Sequence, residues 1–362
     1  MPSAASQLAR YYAIRGLFAA ATSLGPGASL RGAAALGHAF ALSPFNRKRL
    51  ARGLEHLRIA FPDWSEERRL DCVVRSYEHL VTLGAELSYA PRLLSEEGWM
   101  HHLGMTDLRA AARHLIGARP CVMVTGHCGN WELLGYVMTM LGFPTFAIYR
   151  PLDLRPLDAW VRRTRERRGL MLIDKFGAMR QLPGIVQAGA PVAFIADQNG
   201  GDRGIFVPFF GRLASTYKSV GLTALQFDAT ILCGCARRLG PDETIGAGAF
   251  GQLEWSCGSR VFRYAIELHD IIRPEDWKPF DDPLYYVTAR YRRAIEAMVR
   301  RAPEQYLWMH RIWKSRPRHE RLGRPFPDSL ERKIRQLPWI TDEAWRGIRD
   351  RSAADTGAAA GR

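Results

Sequence analysis

The 362-residue sequence predicts an α/β fold, with a central mixed sheet flanked by helices and a helical N-terminal region. From about Gly104, short apolar runs such as "CVMVT" and "PVAFIAD" alternate with segments of helical periodicity, as in proteins that pack helices on a central sheet. Before that point, apolar residues recur mainly at three- and four-residue spacing, which indicates helices without strands. An apolar content of 47% is enough to fill the core of one large domain.

Residues 1–46 are the first predicted region, a segment that associates with a membrane. Two uncharged stretches, Gly16 to Leu30 and Gly32 to Asn46, are separated by Arg31. Each is shorter than the roughly 20 apolar residues that a membrane-spanning helix needs, and "GPG" interrupts the first. Apolar stretches flanked by arginines fit a segment that rests on the anionic cytosolic face of an inner membrane. An ordinary packed pair of helices is the alternative.

The rest of the chain divides into three predicted regions. Residues 47–103 form a helical region, in which Ser65 begins the second helix after the loop "FPDWSEE". Residues 104–320 form the α/β core. Residues 321–362 form a charged tail that we expect to be disordered, because its last residues, "RSAADTGAAAGR", contain little apolar surface to bury.

The charge predicts an anionic partner. Lysine and arginine total 51 against 36 acids, a net charge of +15, which favours phosphate groups, acidic lipids, an acidic carrier protein or nucleic acid. The basic residues are spread from Arg10 to Arg351 and are not interleaved with aromatic residues, so no nucleic-acid module is predicted. A non-catalytic protein that binds anionic lipid remains as a different class of function. The six cysteines lack the spacing of a disulfide framework or a zinc site, and no metal is predicted.

The stretch "HCGNWE" carries the main candidate site. His127 follows the predicted strand "CVMVT", and Glu132 falls in the first turn of the next helix, for which Asn130 is a suitable N-cap. We expect Glu132 to hold the Nδ1 proton of His127, so that Nε2 is free to accept a proton from a hydroxyl group. The structural alternative is an ordinary first-turn acid beside a polar turn residue. A thiol nucleophile at Cys128 is less favoured, because adjacent side chains in an extended segment point apart.

A second candidate stretch is "DQNGGDRGIFVPFFGRLAST". Asp197 follows the strand "PVAFIA" and should emerge at the same edge of the sheet as His127, while the glycines after it would let backbone approach a ligand. The alternative is a turn residue ahead of an Asn-Gly pair. "FVPFFG" predicts either an apolar wall for an acyl chain or a core-facing loop. A third stretch, "PEQYLWMHRIWKSRP", combines aromatic residues with basic ones.

In this order the three stretches resemble the lipid A biosynthesis acyltransferase family, the lauroyl and myristoyl transferases of the His-x4-Glu/Asp lysophospholipid acyltransferase superfamily. The resemblance runs from about residue 10 to 320. It implies a glycerol-3-phosphate acyltransferase-like fold and transfer of a fatty acyl chain from a thioester donor to a hydroxyl of a lipid A precursor or a related membrane glycolipid, without a cofactor. Acyl carrier protein is the favoured donor, and acyl-coenzyme A is the alternative. Departures near "RGLEHLRIAFP" leave phosphatidylinositol mannosides and lysophospholipids open as acceptors.

The resemblance also assigns roles to residues. It implies that His127 and Glu132 are the catalytic dyad. It further implies substrate-binding roles for four residues, namely Arg165, Asp197, Gln198 and Arg311. Backbone amides or a basic side chain such as Arg165 would stabilise the oxyanion. From the residues alone, Arg165 lies on a helix face that could simply be solvated, with Glu166 able to pair with Arg162.

Other short motifs do not support rival enzyme classes. "GAGAFG" at 246–251 matches a dinucleotide-binding pattern, but no predicted strand precedes it and no convincing helix follows it. The sequence contains no GxSxG elbow, no HExxH and no phosphate-binding P-loop. These observations weigh against three classes of enzyme, namely hydrolases with a nucleophile elbow, zinc proteases and nucleotide hydrolases.

Overall fold

The computed structural model describes residues 3–95, 98–166, 169–174, 177–246, 253–255 and 261–360. Its strands are β1 (Leu103–Thr106), β2 (Cys121–Thr125), β3 (Phe146–Tyr149), β4 (Met171–Asp174), β5 (Val192–Ile195), β6 (Ile205–Phe209), β7 (Arg212–Thr216), β8 (Thr230–Arg238), β9 (Leu253–Trp255) and β10 (Tyr264–Ile272).

The helices flank these strands and also form the N-terminal and C-terminal regions. They are α1 (Ala4–Ser23), α2 (Pro26–Leu42), α3 (Arg47–Ala60), α4 (Glu66–Leu93), α5 (Leu108–Leu115), α6 (Trp131–Met140), α7 (Arg155–Glu166), α8 (Ala178–Gln187), α9 (Ser219–Phe227), α10 (Pro274–Trp277), α11 (Pro283–Arg301), α12 (Arg318–Arg321), α13 (Asp328–Arg335) and α14 (Asp342–Ala360). Short 3-10 turns occur at 44–46, 99–101 and 303–305.

The central sheet is mixed, as predicted. Its strands lie in the order β4-β3-β5-β2-β8-β10-β1-β9, and β6 and β7 form a separate antiparallel hairpin. The pairs from β4 to β8 are parallel, whereas β10 runs antiparallel to β8 and β9 antiparallel to β1. Because β2 and β5 are parallel neighbours, the loops that follow them meet at one edge of the sheet.

Helices cover both faces of this sheet. The main apolar cluster combines buried residues of α9 and α11 with the inner strands, and it includes Cys233 and Cys235 of β8. On the opposite face, Leu115 of α5 packs over Leu232 and Leu268. The "FVPFFG" stretch belongs to the core, because Phe209 and Phe210 are buried in the main cluster. It therefore does not supply an exposed wall for an acyl chain.

The N-terminal half begins with helices, as predicted. Ser65 caps α4 by accepting a hydrogen bond from the backbone N–H of Arg68 at 3.2 Å. Helix α2 packs along α4, and the hydroxyl groups of Ser29 and Tyr89 lie 2.7 Å apart between them. Helix α2 starts at Pro26, inside the "GPG" break. Within the described ranges, every helix is too short or too polar to cross a membrane.

The disorder predicted for residues 321–362 is wrong for the part of this tail that the structure describes. Helices α13 and α14 occupy much of it, and Ile334, Trp345 and Ile348 are buried in the main apolar cluster. The carboxylate of Asp355 accepts hydrogen bonds from Arg212 of β7 and from Arg316. Apolar residues at helical spacing and the partly buried Asp355 therefore dock this tail on the core.

Two smaller features of the sequence are the "GAGAFG" stretch and the cysteines. Most of the "GAGAFG" stretch, and Cys257, lie outside the described residues. The five cysteines that the structure describes are buried free thiols.

Candidate functional site

The candidate site is assembled where three distant chain segments meet. His127 follows β2 and Asp197 follows β5, so both side chains emerge at the carboxyl ends of neighbouring parallel strands. The third segment, residues 305–310, is hydrogen-bonded to the loop that carries His127. Gly129 N–H donates to the carbonyl of Gln305 at 3.0 Å, and Leu307 N–H donates to the carbonyl of His127 at 3.1 Å. These backbone bonds fix the third segment relative to the imidazole.

His127 is oriented by Asp197. Its Nδ1 lies 2.7 Å from Oδ1 of Asp197, whose side chain is buried. The prediction that Glu132 would hold this nitrogen is therefore wrong. The sheet order explains the difference, because it brings the end of β5 beside the end of β2, whereas α6 carries the Glu132 side chain towards α7. Nε2 of His127 faces the amide nitrogen of Gln198 at 3.5 Å, too far for a normal hydrogen bond.

Electrostatics strengthens this imidazole as a base. Burial lowers the pKa of His127, but the charge and hydrogen bond of Asp197, together with the charge of Glu132, outweigh burial and raise the pKa above its usual 6.5. Burial would raise the pKa of Asp197, but the charge and hydrogen bond of His127 and the charge of Arg292 hold that pKa well below its usual range. An ionised Asp197 keeps the Nδ1 proton in place and leaves the Nε2 lone pair available.

Glu132 and Arg165 form an ion pair beside the imidazole. Arg165 Nε donates to Oε2 of Glu132 at 2.7 Å, and its Nη2 donates to Oε1. Both side chains are largely buried, with 11% of Glu132 and 24% of Arg165 exposed. Arg165 is therefore paired with Glu132, the carboxylate that the sequence analysis predicted would hold His127. Arg162 pairs with Glu166 on the outer face of the same helix, as predicted.

A buried polar network supports the "HCGNWE" loop from below. Asn130 caps α6 by accepting from Leu133 N–H at 2.9 Å, and its amide donates to Glu86 at 3.0 Å. The Tyr264 hydroxyl donates to the same carboxylate, and Arg238 donates to Glu86 through Nε and Nη2.

The conformation of Gly129 is part of this support. Its φ is +61°, and a Cβ there would lie 2.2 Å from the carbonyl oxygen of Ala236. Only glycine fits at that point of the loop.

The remaining predicted residues have different surroundings. Gln198 donates from its amide nitrogen to Nδ1 of His310 at 3.0 Å, so it belongs to the site. Arg311 is exposed, and within the described chain it makes no hydrogen bond or ion pair with the His127 group. Two of the glycines after Asp197 serve packing within the protein: a Cβ at Gly200 would lie 2.7 Å from the backbone of Thr216, and a Cβ at Gly204 would lie 2.9 Å from the Thr216 carbonyl oxygen. We expected Gly200 to let its backbone approach a ligand, but the missing side chain instead lets the backbone lie close to Thr216.

An open cleft lies beside the ion pair, between α4, α6 and α7. The cleft is narrow, with about 30 Å³ available to the centre of a water molecule, and it is partly open to solvent. One group of its lining residues is polar, namely Glu86, Asn130, Glu132 and Arg165. Apolar lining comes from Leu87, Ala90, Pro91, Leu133, Tyr136 and Leu170. The cleft thus joins an apolar surface to the acid that neighbours His127.

Another cluster in the described residues has the donor types of a metal site. Cys235 Sγ and Glu267 Oε2 each lie 3.7 Å from Nε2 of His269. Arg237 occupies the Glu267 carboxylate through two nitrogens, with its Nη2 at 2.8 Å from Oε1. Because a guanidinium already neutralises this acid, the cluster is best described as an ion pair within the sheet.

Comparison with known proteins finds one matching family model and several relatives. A family model described as bacterial lipid A biosynthesis acyltransferase matches residues 6–246. The chain is 29% identical over 283 residues to the lipid A biosynthesis palmitoleoyltransferase of Escherichia coli (strain K12), covering 76% of this chain and 81% of that protein. It is 26% identical to the lipid A biosynthesis lauroyltransferase of the same strain, covering 75% and 81%. A Haemophilus influenzae lipid A biosynthesis acyltransferase is 21% identical, covering 75% and 77%.

Proposed function

The chain belongs to the bacterial lipid A biosynthesis acyltransferase family, and from that premise we propose that it moves a fatty acyl chain from acyl carrier protein to a hydroxyl of a lipid A precursor. Its class of activity follows from the family: it is an acyltransferase of lipid A biosynthesis. The proposal adds the thioester donor, the hydroxyl acceptor and the residues that act on them. The observation that supports it best is the Asp197–His127 pair, which leaves Nε2 as a base.

The reaction requires one base and no change of oxidation state. Nε2 of His127 accepts the proton of the acceptor hydroxyl while that oxygen attacks the thioester carbonyl carbon. The tetrahedral intermediate then collapses, the carbon–sulfur bond breaks, and the thiolate takes the proton back from His127. Asp197 remains ionised and stabilises the imidazolium that forms between the two steps. The products are an ester and a free thiol.

The surface charge supports an acidic donor. The net charge of +15 favours encounter with acyl carrier protein, which is strongly acidic. Acyl-coenzyme A is a smaller donor, and only its phosphate groups would be attracted to this surface. The apolar side of the cleft between α4, α6 and α7 offers a surface against which the first carbons of an acyl chain can pack. Because it opens beside Glu132 and Arg165, a thioester carbonyl could lie close to the imidazole.

We also propose that α1 and α2 rest on the cytosolic face of an anionic inner membrane. Residues 1–46 contain no acid and include Arg10, Arg15 and Arg31, with "RKR" following at 47–49. Exposed apolar side chains are concentrated in the same segment, namely Leu8, Tyr12, Leu17, Leu24, Leu36, Phe40, Leu42 and Phe45. Apolar side chains beside uncompensated positive charge suit insertion at the level of lipid headgroups.

Vesicle binding tests this surface. The full chain should bind vesicles that contain phosphatidylglycerol and bind phosphatidylcholine vesicles far more weakly, with a salt-sensitive partition constant. Phe45 is 95% exposed, and we expect Phe45→Ser to lower that constant about tenfold because one large apolar side chain is lost from the interface. Leu322→Ser is the control, since Leu322 is exposed outside this segment. Equal binding to both vesicle types would contradict the proposed surface.

A direct transfer assay tests the function. The purified chain is incubated with acyl carrier protein and coenzyme A thioesters against lipid A precursors, phosphatidylinositol mannosides and lysophospholipids, and product masses identify donor and acceptor. We expect His127→Ala to abolish transfer while vesicle binding persists, and Cys128→Ser to retain transfer because that thiol is buried. Full activity in His127→Ala would contradict the proposed base. Lipid binding without any transfer would favour the non-catalytic class of function.

A further inference from the structure

His310 stands beside the proposed base in a fixed position. The ring centroids of His127 and His310 are 5.1 Å apart, and the two planes are inclined by 52°. The backbone N–H of His310 donates to the carbonyl of Leu307 at 3.1 Å, and Leu307 N–H donates to the carbonyl of His127. On the other side, α3 holds the segment, because Nδ1 of His56 donates to the Trp308 carbonyl at 2.8 Å. The spacing of the two imidazoles is thus set by backbone contacts.

The Gln198 amide defines the proton position on the His310 ring. Its nitrogen lies 3.0 Å from Nδ1 of His310 and 3.5 Å from Nε2 of His127. An amide N–H only donates, so Nδ1 of His310 is an acceptor, and the proton of its neutral ring lies on Nε2. For Nε2 of His310, no hydrogen-bond partner occurs among the residues that the structure describes. A neutral N–H donor is therefore left unused close to the base.

The surroundings keep this ring uncharged. Burial lowers the pKa of His310, the positive charges of His127 and Arg52 lower it further, and the charge of Asp197 opposes them, with a net pKa of about 4. His310 is therefore neutral at neutral pH. A neutral imidazole that donates a hydrogen bond can stabilise a developing oxyanion without giving up its proton.

We propose that Nε2–H of His310 donates a hydrogen bond to the oxyanion that forms on the thioester carbonyl, and that Gln198 positions His310 for this role. The role rests on the proposed acyl transfer. When the acceptor oxygen bonds to the carbonyl carbon, the electron pair of the C=O bond moves to oxygen, and the His310 ring, 5.1 Å from the His127 ring, stands beside the base that activates the attacking oxygen. The other expected side chain, Arg165, is occupied by Glu132.

Substitution of His310 separates this role from packing. We expect His310→Ala to lower kcat about 100- to 1000-fold, the usual effect of losing one oxyanion donor, with KM changed by less than about threefold. His310→Gln can place an amide N–H near the original Nε2 and should recover activity to within about tenfold of wild type. His319→Gln is the matched control, because His319 is a buried histidine whose Nε2 lies 3.0 Å from the Ser352 hydroxyl of α14 and which makes no hydrogen bond to the His127 group among the described residues. It should retain wild-type kcat.

Two further measurements do not depend on turnover. Nitrogen-15 spectra of histidine-labelled protein should show His310 as the neutral Nε2–H tautomer, and Gln198→Leu should weaken that preference. A tetrahedral phosphonate analogue of the intermediate should bind about 100-fold more weakly to His310→Ala than to wild type, while affinity for the unreacted thioester stays the same.

The outcomes distinguish this role from the function on which it rests. If wild type is active and folded His310→Ala keeps kcat within about threefold, the proposed oxyanion role is wrong. A loss confined to KM, or a ring protonated on Nδ1, would overturn it as well. An inactive wild type would contradict the proposed acyl transfer and this role together.

Discussion

Nδ1 of His127 lies 2.7 Å from the carboxylate of Asp197, although 70 residues separate them along the chain. The acid that lies only five residues away, Glu132, is instead bound by Arg165. The imidazole is therefore oriented by a contact between neighbouring strands of the sheet. Glu132 acts on it at longer range, as a negative charge that raises the pKa of the ring.

The first prediction concerns Asp197→Asn. An asparagine can turn its amide N–H towards Nδ1, which would leave the proton of the neutral imidazole on Nε2 and remove the base. We expect kcat to fall about 100- to 10,000-fold, the range attributed to general base catalysis. Steady-state kinetics measures it, and Asp202→Asn is the control, because Asp202 is exposed in the following loop. A fall of less than about threefold would show that Asp197 does not set the tautomer.

The second prediction concerns pH. Only neutral imidazole can accept a proton, and the pKa of His127 is raised above 6.5, so kcat/KM should increase with pH through an apparent pKa above that value. Asp197→Asn removes the largest influence that raises this pKa, and Glu132→Gln removes a smaller one. The acidic limb should therefore move to lower pH in both variants, and further in the first. A limb that stays in place would mean that another group controls it.

The third prediction concerns the Glu132–Arg165 pair. Replacing either residue leaves its partner largely buried and unpaired, so Glu132→Gln and Arg165→Gln should each lower the free energy of unfolding by about 1–3 kcal/mol. In the double variant the losses should not add, and the coupling energy should be about 1–3 kcal/mol. Urea unfolding of the four proteins measures it. Arg162→Gln is the control on the same helix, because its pair with Glu166 is exposed and contributes little.

The fold could be predicted largely from local patterns. Apolar runs and turn residues locate most strands of the central sheet, and Asn130 and Ser65 cap helices as their residue types suggest. The hairpin of β6 and β7 and the short helix α5 were not predicted. The hairpin is hidden because "FVPFFG" contains Pro208 and is apolar on consecutive positions, which obscures the alternation typical of a strand.

The sequence predicts that His127 and Asp197 share one edge of the sheet, but it predicts neither their contact nor the place of His310 beside them. The edge of the sheet shared by His127 and Asp197 follows from both residues coming after strands. Their direct bond depends on β5 lying next to β2, which no local pattern specifies. The place of His310 depends on the bridge between Cys128 and Tyr306, which joins segments far apart in sequence. Such pairings are set by tertiary packing.

The fourth prediction concerns the buried network below the loop. Tyr264 is fully buried, and its hydroxyl contacts Glu86, Asn130 and Arg238. Tyr264→Phe removes these bonds without a cavity, so we expect it to lower the free energy of unfolding by about 1–3 kcal/mol and to reduce kcat as the loop loosens. Tyr285→Phe is the control, since that hydroxyl makes one long bond to the Phe206 carbonyl. Equal effects of the two substitutions would contradict a special role for the network.

The fifth prediction concerns the C-terminal tail, which is folded although its composition suggested disorder. Trp345 is 3% exposed and packs within the main core, so Trp345→Ala should lower the free energy of unfolding by about 3–5 kcal/mol through the cavity it leaves. The same helix ties down the β6–β7 hairpin, because Arg351 donates to the Phe210 carbonyl at 2.9 Å and Asp355 accepts from Arg212 at 2.8 Å.

Thermal and urea unfolding measure this effect, and Arg346→Ala is the control on the exposed side of α14. Because the hairpin is also bonded to the Asp197 loop, through Gly200 N–H and the Ser215 carbonyl at 2.9 Å, loss of the tail should lower activity as well as stability. A chain ending at residue 340 would lack Trp345, Arg351 and Asp355 together. If that chain unfolds at the wild-type denaturant concentration, α14 does not stabilise the core, and its packing against β7 is energetically neutral.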